Sequence, residues 1–188
     1  MTYEKYHSTP QIIETERLKL RRLSVADDEA VYAYGRDPEV TRHVSFPTHQ
    51  SIEDARTFLR TVLENYAKNE PSVWAICLKE TGDLIGTTGL LNWNRDHYRV
   101  EIGYALARKY WNQGIVTEAV KGMIDHLFHN TDLIRIEARC KIPNIASARV
   151  MEKAGMKFEG ILRKQMHFAG VSHDMKMYSI IRDEWEKK

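Results

Sequence analysis

The chain has little of what marks a specialised protein. Its two cysteines in 188 residues, Cys77 and Cys140, lie far apart and form no ligand pair. They suit a reducing compartment and argue against a disulfide framework. Five prolines and ten glycines build no linker, repeat or low-complexity tract, so nothing divides the chain. No run approaches the roughly 20 apolar residues that span a bilayer. The opening MTYEKYHSTP lacks the apolar centre of a signal peptide. Charge of one sign is missing too: 28 basic against 26 acidic residues leave a formal charge of +2. Without a long basic run, nucleic acid is not the partner to expect. The eight histidines include no metal-binding spacing such as His-x-x-x-His on a helix. These absences point to a cytoplasmic protein with no membrane partner, no nucleic-acid partner and no metal.

What is present is core material. With 43% hydrophobic and 10% aromatic residues, the chain can bury a core as one domain over residues 1–188, centred on about 15–185. RLKLRRL (Arg17 to Leu23) alternates and reads as a strand. Ser24 with Asp27, and Ser51 with Asp54, carry the spacing of a helix start. The first helix runs to about Tyr34. The second places Ala55, Phe58, Leu59, Val62, Leu63 and Tyr66 on one face. Between them RDPEVTRHVSFPTHQ, with two prolines, reads as a loop. Three β-rich runs follow, SVWAICLK, LIGTTGLLNW and RVEIGYAL, separated by turns at Thr81-Gly82-Asp83 and Asn94 to His97. From Val116 the period changes to that of a helix, with Val116, Ala119, Val120, Met123, Ile124, Leu127 and Phe128 on one stripe ending near Asn130. IRIEARC (Ile134 to Cys140) is a strand with Ile134, Ile136 and Ala138 on one face. NIASARVMEKAGM is a short helix stopped at Gly155. KFEGILRKQMHF and HDMKMYSII flank Ala169-Gly170 as a hairpin. The order is β-α-α-β-β-β-α-β-α-β-β, an α/β (α+β) arrangement around a mixed sheet.

The segment RVEIGYALARKYWNQGIVTEA is then strand, short loop, glycine and helix. A helix start has four N–H groups without an internal partner and about half a positive charge from the dipole. A strand that delivers the chain there can build an anion cradle from main chain alone. Gly114 would let successive amides point one way. The segment is not a Walker loop, because no Lys-Ser/Thr pair follows, and one glycine makes no dinucleotide fingerprint. On spacing alone an ordinary turn and an anion site both remain open.

The residues around Gly114 carry a resemblance. Tyr110-Trp111-Asn112-Gln113-Gly114-Ile115-Val116-Thr117-Glu118-Ala119 is similar to the Tyr-Trp-Gly-Lys-Gly-Tyr-Ala-Thr-Glu-Ala loop of the GCN5-related N-acetyltransferase superfamily, in the branch of ribosomal-protein N-terminal acetyltransferases. Asn112 and Val116 depart from that pattern. NIASARVMEKAGMKFEG resembles the branch's Asn-x-x-Ser-x-x-x-x-Glu-Lys-x-Gly-Phe element at Asn144, Ser147, Glu152, Lys153 and Gly155, with Met156 in place of Phe. RVEIGYAL and DMKMYSI match too, so the likeness runs from about Thr15 to Trp185. It implies a mostly antiparallel mixed sheet with flanking helices, in which RVEIGYAL and IRIEARC form a splayed central parallel pair. Acetyl-CoA would lie in that gap. Leu106, Ala107 and Arg108 would supply main-chain contacts to it, Gln113, Gly114, Ile115, Val116 and Thr117 would cradle the pyrophosphate, and Asn144 would bond the pantetheine arm. Ser147 would sit near the thioester sulfur. Asn144 and Ser147 also fit plain helix capping, at the N-cap and N3 positions.

Amide formation from a thioester needs a neutral amine, a held oxyanion and a proton for the departing thiolate. Many superfamily members use a tyrosine as the acid, and Met151 occupies its position here. Ser147 is the candidate replacement. A backbone N–H at the end of the Glu101 strand would hold the oxyanion. Glu101, opposite the Val100, Ile102, Tyr104 face, is the candidate base. Its alternative is a sheet-face carboxylate paired with Arg99 or Arg139. Freeing an α-amine of pKa near 8 at pH 7 costs about 1.4 kcal/mol, against about 4.6 for a lysine. A chain with no obvious strong base therefore suits an N-terminal amine. His43 and His49 read as solvated loop residues beside the acceptor, and His167 and His173 fall near the hairpin. Trp74 and Trp93 read as packing residues, and Trp111 as either a cofactor shield or core. Glu118 suits the helix dipole.

The implied activity is direct transfer in a ternary complex. No acetyl-enzyme is expected, since neither cysteine lies in a cysteine-histidine motif. The acceptor expected first is a protein N-terminus such as a ribosomal one. A polyamine, amino acid or aminoglycoside comes second. A non-catalytic acyl-CoA sensor is the reading from a different class. The oligomeric state stays open, a homodimer included.

Overall fold

The computed structural model describes Tyr6 and residues 12–187; the stretch read above for a signal peptide lies almost wholly outside them. Two short strands, β1 (Ile13–Glu14) and β2 (Leu18–Arg22), lead through a single 3-10 turn into helix α1 (Asp28–Gly35). Then come α2 (Pro38–Thr41), α3 (Ile52–Ala67), and the strands β3 (Val73–Leu78), β4 (Leu84–Asn94) and β5 (Arg99–Leu106). A 3-10 turn at Arg108–Tyr110 precedes α4 (Ile115–Asn130), β6 (Arg135–Lys141) and α5 (Ile145–Lys153). The hairpin β7 (Lys157–Phe168) and β8 (Val171–Ile181) and a last turn of helix, α6 (Arg182–Trp185), close the order.

The helix starts are built as their residues suggest. The Ser51 N–H donates to the Asp54 carboxylate at 3.0 Å, and the Ser24 N–H to Asp27 at 2.7 Å. Ala169 and Gly170 both take positive φ, 50° and 77°, the pairing that a two-residue hairpin turn of matching twist requires. Two-sided burial follows from the patterns. One sheet face packs Leu20, Ile76, Ile102 and Ile136 under Val120, Met123 and Leu127 of α4. The other packs Ala75, Cys77 and Ala105 under Val31, Leu59 and Val62 of α1 and α3.

Three short elements escape the sequence periodicity: β1, α2 inside the expected loop, and α6. Each is four residues or fewer, too short to show a period; α2 is marked only by Asp37, whose side chain accepts from the Glu39 N–H. Two residues move. Ile115, not Val116, leads the buried stripe of α4, because the helix starts one residue earlier. Ile134 is 54% exposed: β6 begins only at Arg135, and Leu133 takes the buried place instead.

Among the described residues, eight strands form one sheet in the order β1-β2-β3-β4-β5-β6-β8-β7. Every neighbouring pair is antiparallel except β5 with β6. That parallel pair is joined only from Arg99–Arg135 to Ile102–Ala138. Beyond it both strands go on, β5 beside β4 to Leu106 and β6 beside β8 to Lys141. The two central strands therefore splay. At the level where their pairing stops, β4 carries a bulge between Leu90 and Asn92, opposite Ile102 and Glu101. A bulge adds local twist, and this one lies level with the last paired residues of β5 and β6.

Candidate active site

The gap has a main-chain lining. The Ala107 N–H donates to the Ile85 carbonyl at 2.8 Å, so Leu106 and Gly86 are an antiparallel pair of the non-bonded kind. By alternation, the main-chain groups of Tyr104 and Leu106 point toward β6 where no strand pairs with them. The Leu106 carbonyl is taken by the Trp111 indole N–H at 2.9 Å, which leaves its N–H. Ala107 is used on both sides, its N–H by Ile85 and its carbonyl by the Tyr110 N–H at 3.0 Å. Arg108 opens the 3-10 turn, where an N–H has no partner inside the turn. Trp111 is 39% exposed, so it is not a core residue.

The α4 start lies at the same end of the sheet. Gly114 is its N-cap, left-handed at φ 75°, and offers no side-chain cap. The N–H groups of Ile115, Val116 and Thr117 are the orphan donors of the first turn. Asn112 is also left-handed, at φ 61°. Asparagine tolerates that region better than other residues with a Cβ, so the substitution keeps the backbone shape a glycine would have. The Gln113 amide donates to the Lys109 carbonyl at 2.9 Å. Outside the loop, Arg17 donates to the Gln113 carbonyl at 3.1 Å and to Glu118 at 2.6 Å. Thr15 adds a hydrogen bond to Glu118 at 2.5 Å. Burial opposes the Glu118 charge, but the bonds from Thr15 and Arg17 outweigh it and hold the carboxyl below its usual range. Glu118 thus ties the turn between β1 and β2 to α4, a tie the sequence does not show because its partners lie about a hundred residues away.

Across the gap, α5 presents Asn144 and Ser147. Asn144 is its N-cap and accepts from the Ser147 N–H at 3.1 Å, so the capping role is real. The Ser147 hydroxyl lies 2.9 Å from the Tyr104 hydroxyl, which also donates to the Ser147 carbonyl at 3.2 Å. Tyr104, read from the sequence only as part of a strand face, thus meets Ser147 across the gap. Burial pushes the Tyr104 phenol well above its usual pKa and raises the neighbouring Cys140 thiol. Met151 is fully buried.

On the other sheet face Glu101 is 7% exposed and held by Arg139 in a two-pronged ion pair, at 2.8 and 2.5 Å. The Glu101 hydrogen bond raises the Arg139 pKa against the opposing effect of burial. Arg99 bonds Glu137 instead, at 3.1 Å. His49 is buried, not solvated: it packs on Gly35, where any Cβ would meet its ring at 2.4 Å. Its Nδ1 and that of His43 have no partner, and burial lowers both pKa values. His167 bonds Ser172 at 3.1 Å. His173 lines a pocket of about 440 Å³ beside Lys141. A larger groove of about 760 Å³ runs along α4 past Lys121 and Asp125, away from the Ser147 pair. Among the described residues no helix is long and apolar enough to cross a membrane.

The sequence matches the Acetyltransferase (GNAT) domain family over residues 17–157. It is 34% identical over 171 residues to YoaA of Bacillus subtilis, an N-acetyltransferase described as uncharacterised; the match covers 91% of this chain and 97% of that one. The crystal structure of a GNAT-family acetyltransferase from Bacillus anthracis superposes with a TM-score of 0.82 at 29% identity, covering 92% and 99% of the two chains. RimL, a ribosomal L7/L12 alpha-N-protein acetyltransferase solved with coenzyme A, superposes equally well, at 0.82, over 93% and 99%. Its 20% identity makes that a likeness of fold.

Proposed function

Since the chain belongs to the GNAT acetyltransferase family and is an acetyl-CoA-using N-acetyltransferase, we propose that the gap between β5 and β6 is where acetyl-CoA binds, and that the acetyl group passes directly to a primary amine in a ternary complex. The observation that carries this is the break in pairing beyond Ile102–Ala138, at the end of the sheet where α4 begins. The residues suit the cofactor. Uncapped amides at Ile115, Val116 and Thr117, with Gly114 and Gln113 before them, match a pyrophosphate. The N–H groups of Leu106 and Arg108 match pantetheine amides, while Ala107 would have to exchange a partner to join them. Asn144 has its side-chain NH₂ left for the arm while its oxygen caps α5.

When bound, acetyl-CoA supplies an acyl group activated as a thioester. Ser147 would give a proton to the leaving sulfur, and Tyr104, kept protonated by burial, would hold that hydroxyl in position. Glu101 is the candidate base, directly or through water, and Arg139 holds its carboxylate in place. A weak base is sufficient for an α-amine, whose deprotonation costs about 1.4 kcal/mol at pH 7. The acceptor we favour is therefore the N-terminal amine of a protein, the class of acceptor for which RimL is named. The test is thiol release from acetyl-CoA with panels of peptides and small amines. Turnover on peptide N-termini supports the reading. Turnover confined to small amines replaces the acceptor, and tight acetyl-CoA binding without turnover on any amine makes the chain a sensor.

A further inference from the structure

The pocket of about 440 Å³ is lined by three separate parts of the chain: the end of β6, the α2 segment with the loop after it, and the tip of the β7–β8 hairpin. Its unusual member is Lys141. Only 6% of its surface is exposed, yet among the described residues no carboxylate pairs with it. Its ammonium has three donors and uses one, to the Arg42 carbonyl at a long 3.3 Å. The Phe168 ring faces it at 5.7 Å. A buried cation without a counter-ion is strongly unfavourable, and here burial pushes the ammonium below its usual pKa. Arg42 and His173 add positive or ionisable groups to the same walls, and His43 stands near enough to feel both Arg42 and Lys141. Glu39 is the one carboxylate among the lining residues, 3.8 Å from Arg42.

Lys141 is also in the right place. Strand alternation puts Arg139 and Lys141 on one face of β6, the face where Arg139 holds Glu101. Glu101 stands level with Glu137, so Lys141 lies four strand positions, about 13 Å, further along that face. The remainder of an acceptor whose amine sits at Glu101 could extend along the same face toward Lys141.

We propose that Lys141 is an anion-recognising residue of the acceptor pocket, so that the amine acetylated belongs to a molecule that also carries a carboxylate. An acidic peptide N-terminus and a free amino acid share that chemistry. Polycations such as polyamines and aminoglycosides lack it and would meet Lys141 and Arg42. The proposal rests on the transferase reading above and narrows its acceptor.

The experiment compares kcat/KM for matched peptides with Glu, Gln or Lys at the second and third positions, and for serine against serinamide. It uses the full chain, Lys141→Met and Lys141→Arg, with thermal melts to show that both variants fold. A charge-assisted hydrogen bond predicts roughly ten- to a hundredfold preference for the acidic acceptor. Lys141→Met should erase it mainly through KM, and Lys141→Arg should keep most of it. The peptide and amino-acid arms identify the source of the carboxylate. Equal or better use of the Gln or Lys peptides, or an acidic preference that survives in Lys141→Met, overturns the proposal. Calorimetry with the N-acetylated Glu and Gln peptides on coenzyme A-loaded protein decides it without turnover. Charge-dependent binding lost in Lys141→Met sustains the anion site even if no amine reacts, in which case the transferase reading is what fails. Binding blind to charge removes the site whatever the turnover.

Discussion

The two sides of the splayed strands are built differently. The α4 end of the gap uses main chain: an uncapped helix start, two left-handed residues in the loop before it, and the free edge of β5. The α2–hairpin side uses side chains from three distant segments, Arg42, Lys141 and His173 among them. A main-chain site needs only a backbone shape, so many side chains can stand in it; Asn112 in the left-handed region is such a case. A side-chain site depends on which residues the loops bring together, and these leave no period or short motif in the sequence. The first side should therefore resist most substitutions and yield to charge or strain, while the second should yield to single side-chain changes.

The largest effect expected is on the main-chain side. Gly114→Asp tolerates the left-handed backbone better than most residues but puts a negative charge at the amides. Two like charges about 4 Å apart at a surface-like effective dielectric repel by about 4 kcal/mol, so coenzyme A affinity should fall by two to three orders of magnitude in a calorimetric titration at low salt. An affinity unchanged within threefold would move the pyrophosphate elsewhere.

Ser147→Ala comes next. Removing a proton donor should lower kcat by about 10²-fold while the dissociation constant for coenzyme A stays within threefold. Tyr104→Phe, which leaves Ser147 in place and removes only its partner, should cost less, about three- to tenfold in kcat. Equal activity in Ser147→Ala ends its candidacy as acid.

Glu101→Gln separates a base from a strut. If Glu101 accepts the proton, the variant loses about tenfold in rate, chiefly below the pKa of the amine, and the pH–rate profile changes shape. If Glu101 only holds Arg139, the profile keeps its shape and the loss appears in denaturant melts, at about 1–3 kcal/mol for a buried group left short of a partner.

The smallest effect is at Glu118. Its pKa is lower in the folded chain, so its contribution is present above the unfolded carboxylate pKa and fades as pH falls through the folded one. Arg17 is exposed enough to discount the pair. Glu118→Gln should cost about 1 kcal/mol at pH 7, with the difference from the parent vanishing in acid melts. A difference independent of pH would mean the carboxylate charge is not what ties β2 to α4.

The sequence was most legible where period and capping rules act over short distances. The long strands, α3, α4, α5 and the hairpin follow from alternation, 3.6-residue spacing and turn residues. The loop at Gly114 was readable because its residues are contiguous. What escaped needed long-range contact. Tyr104 meets Ser147 across 43 positions, and nothing near either residue announces it. Glu101 was open between base and ion pair because its partner Arg139 lies 38 positions away. The burial of His49 depends on Gly35, and Lys141 acquires its meaning only from Arg42 and Phe168. The bulge in β4, level with the end of the central pairing, has no marker at Leu90–Asn92 that alternation alone could find.

The most direct test of the central claim is amide hydrogen exchange with and without saturating coenzyme A. Donation of main-chain N–H groups to the cofactor predicts slowed exchange in peptides spanning residues 103–119, greatest at Gln113 to Thr117, with little change at residues 99–102, which the sheet already protects. Binding that leaves exchange at 113–117 unaltered would contradict it.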